Sequence, residues 1–204
     1  MRALAVVATA AAVQRTSIRG HAVRRVDVDG LYVYAVAYGG GSDGAKHDAL
    51  STQLWPSARI AAGLVADLAP ASMLESLALP SLAAARAGIS ATATDRDAVA
   101  LDFVKHAAAD QGLDVSTQIF DVEDESSPLP PGDLVVLADV FVTDPVAEAC
   151  AARCEEALRR GSDVLVVAAE RSTRDAFLGA LGRGSFGPAP ARLDGLSLVD
   201  GGAG

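Results

Sequence analysis

Five acidic residues carry the first chemical signal in this sequence: Glu75, Asp95, Asp121, Asp139 and Glu170 each stand at the end of a stretch that reads as a strand. An ionised carboxylate is an acceptor only, with two oxygens and about four lone-pair sites. Acids in such places can receive paired hydroxyls, an exocyclic amine or a cationic nitrogen. Taken singly, each is an ordinary turn or cap residue, because Asp readily satisfies backbone N–H groups in loops. As a set they point to a shared purpose, provided the strands are parallel and end at one edge. Ligands of open parallel sheets bind just outside that edge, near the point where strand order reverses.

The elements that would position these acids follow from periodicity. Residues 22–38 alternate, with Val23, Val26 and Val28, then Leu31, Val33 and Val36, around Asp29-Gly30, which reads as a hairpin. The stretch 39–52 is Gly-rich loop. Trp55-Pro56-Ser57 opens a helix with Pro at an early position, where its missing N–H costs nothing, and Ile60, Leu64 and Leu68 fall on one face. Strand-and-helix units then repeat. Met73-Leu74 ends at Glu75, before a helix from Pro80 to Ala87 closed by Gly88. Ile89–Thr94 is a strand, before a helix from Asp97 to Gln111. Val115–Phe120 is the next, and after Pro130-Pro131-Gly132 comes Leu134–Leu137. Asp144-Pro145 starts a helix reaching Arg160, with Asp144 expected as its N-cap. Val164–Val167 precedes a last helix over 173–181. The tail, 182–204, holds at most one strand, Leu193–Val199, which is less than a complete doubly wound sheet uses. Continuous apolar strands alternating with helices predict an α/β fold with a doubly wound, mainly parallel sheet, short at its C-terminus and preceded by the hairpin. The expected organisation is a leader or first strand over 1–17, hairpin and loop over 18–53, and one α/β domain over 54–204.

Composition narrows the partners. The chain has 204 residues, a formal net charge of -9 and a sequence pI ≈ 4.7. Of its 17 basic residues only Lys46 and Lys105 are lysines, and no basic stripe with interleaved aromatics is present, so nucleic acid is not an expected partner. An acidic surface attracts a basic protein or a cationic group. Apart from the apolar Ala/Val run at the start, too short to span a bilayer, nothing nears membrane-spanning length. That run has the shape of a signal or organellar transit leader, with a first buried strand as the competing reading, so the expected location is cytoplasmic or, if the leader is real, mitochondrial or plastid. Cys150 and Cys154, four apart in a helix, suit neither a disulfide nor zinc and read as reduced core residues. His21, His47 and His106 are scattered, Ser81 lacks a G-x-S-x-G elbow, and no G-x-G-x-x-G follows a strand. Arg159-Arg160 at a helix end fits the helix dipole. Nothing in the sequence fixes an oligomeric state.

Several runs carry a family likeness. Leu54-Trp55-Pro56-Ser57, then Leu74-Glu75, Leu79-Pro80-Ser81-Leu82-Ala83-Ala84-Ala85-Arg86-Ala87-Gly88 and Ala93-Thr94-Asp95 resemble class I S-adenosylmethionine-dependent methyltransferases, more narrowly the seven-strand protein-lysine methyltransferase group. Asp133 to Phe141, DLVVLADVF, is similar to the DLVVLGDMF segment of enzymes that methylate the electron-transfer flavoprotein β-subunit. The likeness covers about 54–181. It implies S-adenosylmethionine as cofactor, with Glu75, Ser76 and Leu77 facing its methionine part, Asp95 holding the ribose, Asp121 and Val122 flanking the adenine, and Trp55 lining the pocket. Asp139 and Phe141 would meet the target amine, a lysine side chain of a protein substrate. The chain departs from the pattern after Glu75. Where the family has about six glycine-rich residues, it has Ser76-Leu77-Ala78, so the glycines that let backbone approach a cofactor are missing. An active enzyme with an altered loop, a partner-binding protein that kept the fold, and a nucleotide-binding enzyme of other chemistry are the readings this leaves.

Overall fold

The computed structural model describes residues 16–37, 54–68, 70–75, 78–187, 192–193 and 195–202. Two sheets form. The small one is antiparallel, from β1 (Ser17–Ile18), β2 (His21–Val28) and β3 (Leu31–Val36). Asp29 and Gly30 both take positive φ between β2 and β3, as the expected two-residue turn requires. β3 is buried along nearly its whole length instead of alternating. One face of the hairpin meets α2 and α3: Gln111 Oε1 accepts from the Tyr32 backbone N–H at 2.9 Å and Asp110 from Tyr34 Oη at 2.9 Å, while the buried Tyr32 hydroxyl has no partner among the described residues.

The large sheet follows the alternation of the sequence. In chain order its elements are α1 (Pro56–Leu68), β4 (Ser72–Glu75), α2 (Ala78–Arg86), β5 (Ser90–Asp95), α3 (Ala98–Asp110), β6 (Val115–Ile119), β7 (Leu134–Ala138), α4 (Asp144–Arg159), β8 (Asp163–Ala168), α5 (Thr173–Leu181), β9 (Arg192–Leu193) and β10 (Leu196–Asp200). The strands lie in the order β6-β5-β4-β7-β8-β10-β9, all parallel except the two-residue β9. The direction of winding reverses between β4 and β7. The tail therefore adds a full parallel strand, β10, paired from Leu196↔Val164 to Asp200↔Ala168. The one strand expected in the tail, over Leu193–Val199, is thus present slightly later, and the sheet is not cut short as expected.

Strand side chains sort by parity onto two helical layers. Leu134, Val136 and Ala138 face α1 with Ala61 and Val65, while Val135 and Leu137 face α4 with Cys150, Cys154 and Ala157. β7 and β8 consequently read as unbroken apolar runs, and each fully buried Val or Leu contributes about 1.5–3 kcal/mol. Both cysteines are fully buried and reduced. Burial pushes the Cys150 thiol up to about 12 and Cys154 well above its ordinary value, so neither is a nucleophile near neutral pH.

Helix starts differ from the sequence reading in two places. The cap of α4 is Thr143, not Asp144: Thr143 Oγ1 accepts from Val146 N at 3.4 Å, and Asp144 sits in the first turn, where its charge favours the dipole. α2 begins at Ala78, two residues earlier than the Pro80 start, leaving only residues 76 and 77 between it and β4.

Candidate functional site

The sheet register builds a notch at the reversal point. β4 ends at Glu75, level with Ala93 on one side and Val136 on the other. β5 runs on through Thr94 to Asp95, and β7 through Leu137 to Ala138, so both neighbours overshoot the strand between them. Strands lie about 4.8 Å apart, so the tips of β6, β5 and β7 set Asp121, Asp95 and Asp139 in a row about 14 Å long at one edge of the sheet. The side chain of Glu75, and all of Ser76 and Leu77, lie outside the described residues.

The tip acids differ in how they are satisfied. Asp95 Oδ1 accepts from Asp97 N at 2.7 Å, and Asp97 in turn caps α3 by accepting from Val99 N at 2.8 Å. Asp121 Oδ1 accepts from Glu123 N at 3.0 Å. Both are partly buried turn residues, each with one oxygen committed to its own loop. Asp139 is another case. It is buried, with φ 57, and is one of three non-glycine residues with positive φ among those described. This left-handed geometry costs an L-residue about 1–2 kcal/mol, and Asp is among the few that tolerate it. It turns the carboxylate onto the tip of β8, where Oδ1 accepts from Ala169 N at 2.9 Å. Oδ2 is buried and has no hydrogen-bond partner. Leaving such a group unsatisfied costs about 1–3 kcal/mol or more, and the combination of positive φ with an orphan oxygen at a strand tip makes Asp139 the candidate functional acid.

Around Asp139 the structure gathers residues the sequence did not single out. The N-terminus of α1 presses onto the tips of β8 and β10. A Cβ at Gly201 would overlap Ser57 Oγ, and would lie 2.7 Å from Ala169 N and 2.8 Å from Ala168 C, so only glycine fits there. Ser57 is fully buried and its hydroxyl also lacks a partner. Arg171 follows Glu170 at the end of β8. Its guanidinium lies 5.0 Å above the Trp55 ring and 3.9 Å from Asp139 Oδ1. Trp55 thus sits beside the site, partly buried. Phe141 does not reach it. Its side chain is 3% exposed and stacks on Phe177 with centroids 4.5 Å apart. The ring is spent on the core between β7 and α5, so an arriving amine cannot meet it; the backbone after Asp139 turns through Val140, and Thr173 Oγ1 anchors the Phe141 carbonyl at 2.9 Å.

The Asp121 side of the row is held by a buried arginine. Arg153 lies on the inward stripe of α4 with Val146, Cys150, Cys154 and Ala157. Its Nε donates to the Val122 carbonyl at 3.1 Å, Nη2 to the Asp124 carbonyl at 2.5 Å, and Nη1 to Glu156 Oε2 at 2.8 Å. Glu156 accepts from Leu129 N at 3.0 Å and pairs with Arg160, which donates to the Leu129 carbonyl. Burial pushes the Glu156 carboxyl up, but Arg153, the Leu129 N–H and Arg160 together bring it below its ordinary value. Arg160 thus serves this network rather than the helix dipole alone. An arginine in register with core cysteines was a readable signal for the clamp.

Beside the site lies an open recess of ≈ 710 Å³, whose lining includes Glu170, Arg171, Arg174, Asp175, Phe186 and Asp200. It sits off β8 and β10, and Arg171 belongs both to it and to the Asp139 cluster. Among the described residues no group of His, Cys, Asp or Glu could hold a metal ion, and no helix is long and apolar enough to cross a membrane.

No family model matches the sequence, and no curated protein does. Solved structures do resemble the fold. The tRNA (uracil-54, C5)-methyltransferase of Pyrococcus abyssi, in complex with S-adenosyl-L-homocysteine, superposes with a TM-score of 0.52 at 10% identity, over 78% of this chain and 38% of that one. A TehB-like SAM-dependent methyltransferase from Corynebacterium glutamicum gives 0.48 at 18% identity, over 66% and 74%. The chain therefore spans well under half the length of the tRNA enzyme. The architecture is the Rossmann-like methyltransferase fold, with the small antiparallel sheet added at its N-terminal side.

Proposed function

We propose that this protein transfers a methyl group from S-adenosylmethionine to an amine nitrogen, and that the acceptor is a lysine side chain of a protein. The observation that carries this reading is the buried, unpartnered Oδ2 of Asp139, at the tip of the strand next to β4. A fold shared with methyltransferases supports it but leaves chemistry open, since one fold hosts many activities.

The residues suit the cofactor. Asp95 offers a partly buried carboxylate at the tip next to β4, as a ribose hydroxyl pair needs. Asp121 and Val122 lie one strand further out, where an adenine would end, on a loop fixed by Arg153. When bound, S-adenosylmethionine supplies a methyl carbon made electrophilic by its sulfonium. The chain's own part is positional and electrostatic. Asp139 Oδ2 holds the incoming ammonium and takes or relays the proton it must lose, which leaves the nitrogen lone pair free to attack. Ala169 N fixes the other oxygen, so the carboxylate cannot turn away.

Calorimetric titration with S-adenosylmethionine and S-adenosylhomocysteine tests the cofactor, and transfer of labelled methyl to lysine-containing peptides tests the acceptor. Micromolar binding is the expected result; an intact fold that binds neither sinks the reading. One observation favours a second reading. Only two residues separate α2 from β4, without the glycines of the familiar loop. A chain whose short connection fills the notch would act by binding a partner, and would give that null titration.

A further inference from the structure

We propose that Arg171 is a placeholder for a cationic acceptor: in the resting chain its guanidinium sits on the seat, formed by Trp55 and Asp139, that a substrate ammonium takes during turnover, and the recess beside it is the acceptor's way in. This deepens the methyl-transfer reading of the same site and rests on it. An aromatic face beside a carboxylate is a receptor for a cation. Arg171 lies 5.0 Å above the Trp55 ring and 3.9 Å from Asp139 Oδ1.

The seat is held loosely. Among the described residues the Arg171 guanidinium makes no hydrogen bond, and 3.9 Å is too long for one. Its side chain is 34% exposed. The buried Arg153, fixed through Nε and both Nη atoms, shows what a permanently placed arginine looks like here. Arg174, also on the recess, is likewise tied, 2.6 Å from Asp200 Oδ1 and 3.9 Å over the Phe186 ring. Arg171 is thus the arginine of the recess that can leave.

The carboxylate it faces is only half answered. Arg171 approaches Oδ1, which already accepts from Ala169 N, while Oδ2 is buried and vacant of donors. In the resting chain the guanidinium approaches Oδ1 and makes no bond to Oδ2. A primary ammonium on a slender aliphatic stem, entering as Arg171 moves aside, brings three donors where one is needed. The recess supplies room for the exchange, with Glu170 and Asp175 on its wall to receive the displaced guanidinium or to guide the entering cation. The ligand class that follows is a primary or secondary alkylammonium, and an anionic acceptor is disfavoured by the buried carboxylate.

Trp55 is the chain's only tryptophan, so its fluorescence reports the seat directly, without cofactor or turnover. The full chain is titrated with n-butylammonium, with n-butanol as neutral match and acetate as anionic control. A saturable change with butylammonium alone is expected. Arg171→Ala and Arg171→Gln should tighten it about fivefold, the strength of one exposed cation–π contact and ion pair, and Arg171→Lys should return it toward wild type. Asp139→Asn should remove it. Equal affinity in wild type and Arg171→Ala, or an equal response to butanol or acetate, overturns the proposal. Calorimetry with S-adenosylhomocysteine on the same samples separates the two levels. Cofactor binding without amine discrimination sinks the placeholder alone, whereas no cofactor binding sinks methyl transfer and leaves the amine seat to be judged by the fluorescence.

Discussion

Asp95 and Asp139 stand at the tips of strands on either side of β4, yet they are built on opposite terms. Asp95 commits one oxygen to Asp97 N, in the manner of any Asp that opens a helix. Local chain geometry accounts for it. Asp139 is strained in φ, sealed from water and left with an unmatched oxygen, and nothing local accounts for that. The difference teaches where stability was given up. A carboxylate that improves its own loop says little about ligands, whereas one that weakens the fold has to be explained by something that binds.

The widest separation between the two acids should appear with isosteric substitutions. Asp139→Asn keeps the left-handed backbone, since Asn tolerates it, and keeps an acceptor for Ala169 N, but removes the charge. Methyl transfer should fall by about 10²–10⁴-fold while the thermal midpoint stays level or rises, as expected where a function-bearing group is destabilising. A clear drop in the midpoint would mean that the carboxylate belongs to the fold. Next in size is the clamp behind Asp121. Arg153→Ala leaves Glu156 and the carbonyls of Val122 and Asp124 unmatched, and should cost about 3–5 kcal/mol in denaturant unfolding, loosening the outer arm of the row. If the loss is below about 1 kcal/mol, the Asp121 arm does not depend on α4. Asp95→Ala should weaken S-adenosylhomocysteine binding by about 1.5–3 kcal/mol, the range for a hydrogen bond to a charged group, with little change in stability; unchanged affinity by calorimetry removes Asp95 from the site.

The smallest effect is in pH. The folded-state value of Glu156 is lowered, so the stability it contributes is complete above the ordinary glutamate range and is lost as pH falls through its lowered value. Glu156→Gln should therefore flatten the acid limb of a stability-against-pH curve. An acid limb identical to that of wild type would show that the network carries no linked proton.

What could be read from the sequence follows from how local the cause was. Apolar runs of four to six residues punctuated by Gly and Pro gave the parallel sheet and its layers, because burial on both faces writes itself into consecutive residues. The tail strand was legible at Leu193–Val199, but not that it completes the sheet, since its place beside β8 is set by pairing far earlier in the chain. The tip acids were legible because a strand end is a sequence-local event. Their ranking was not, because the unmatched oxygen of Asp139 depends on Ala169 and on the packing of Ser57 against Gly201. Phe141 failed for a similar reason: next-but-one to the acid in sequence, it faces Phe177 in space. Arg171 was invisible because its partner Trp55 lies more than a hundred residues away.

The left-handed backbone at Asp139 also bears on how this chain can drift. Glutamate, the only other carboxylate, would meet the steric cost of positive φ, whereas asparagine and glycine would enter with little penalty. The replacements most easily tolerated there are therefore those that silence the carboxylate and keep the scaffold. One codon change can part a lineage that still folds from one that still reacts.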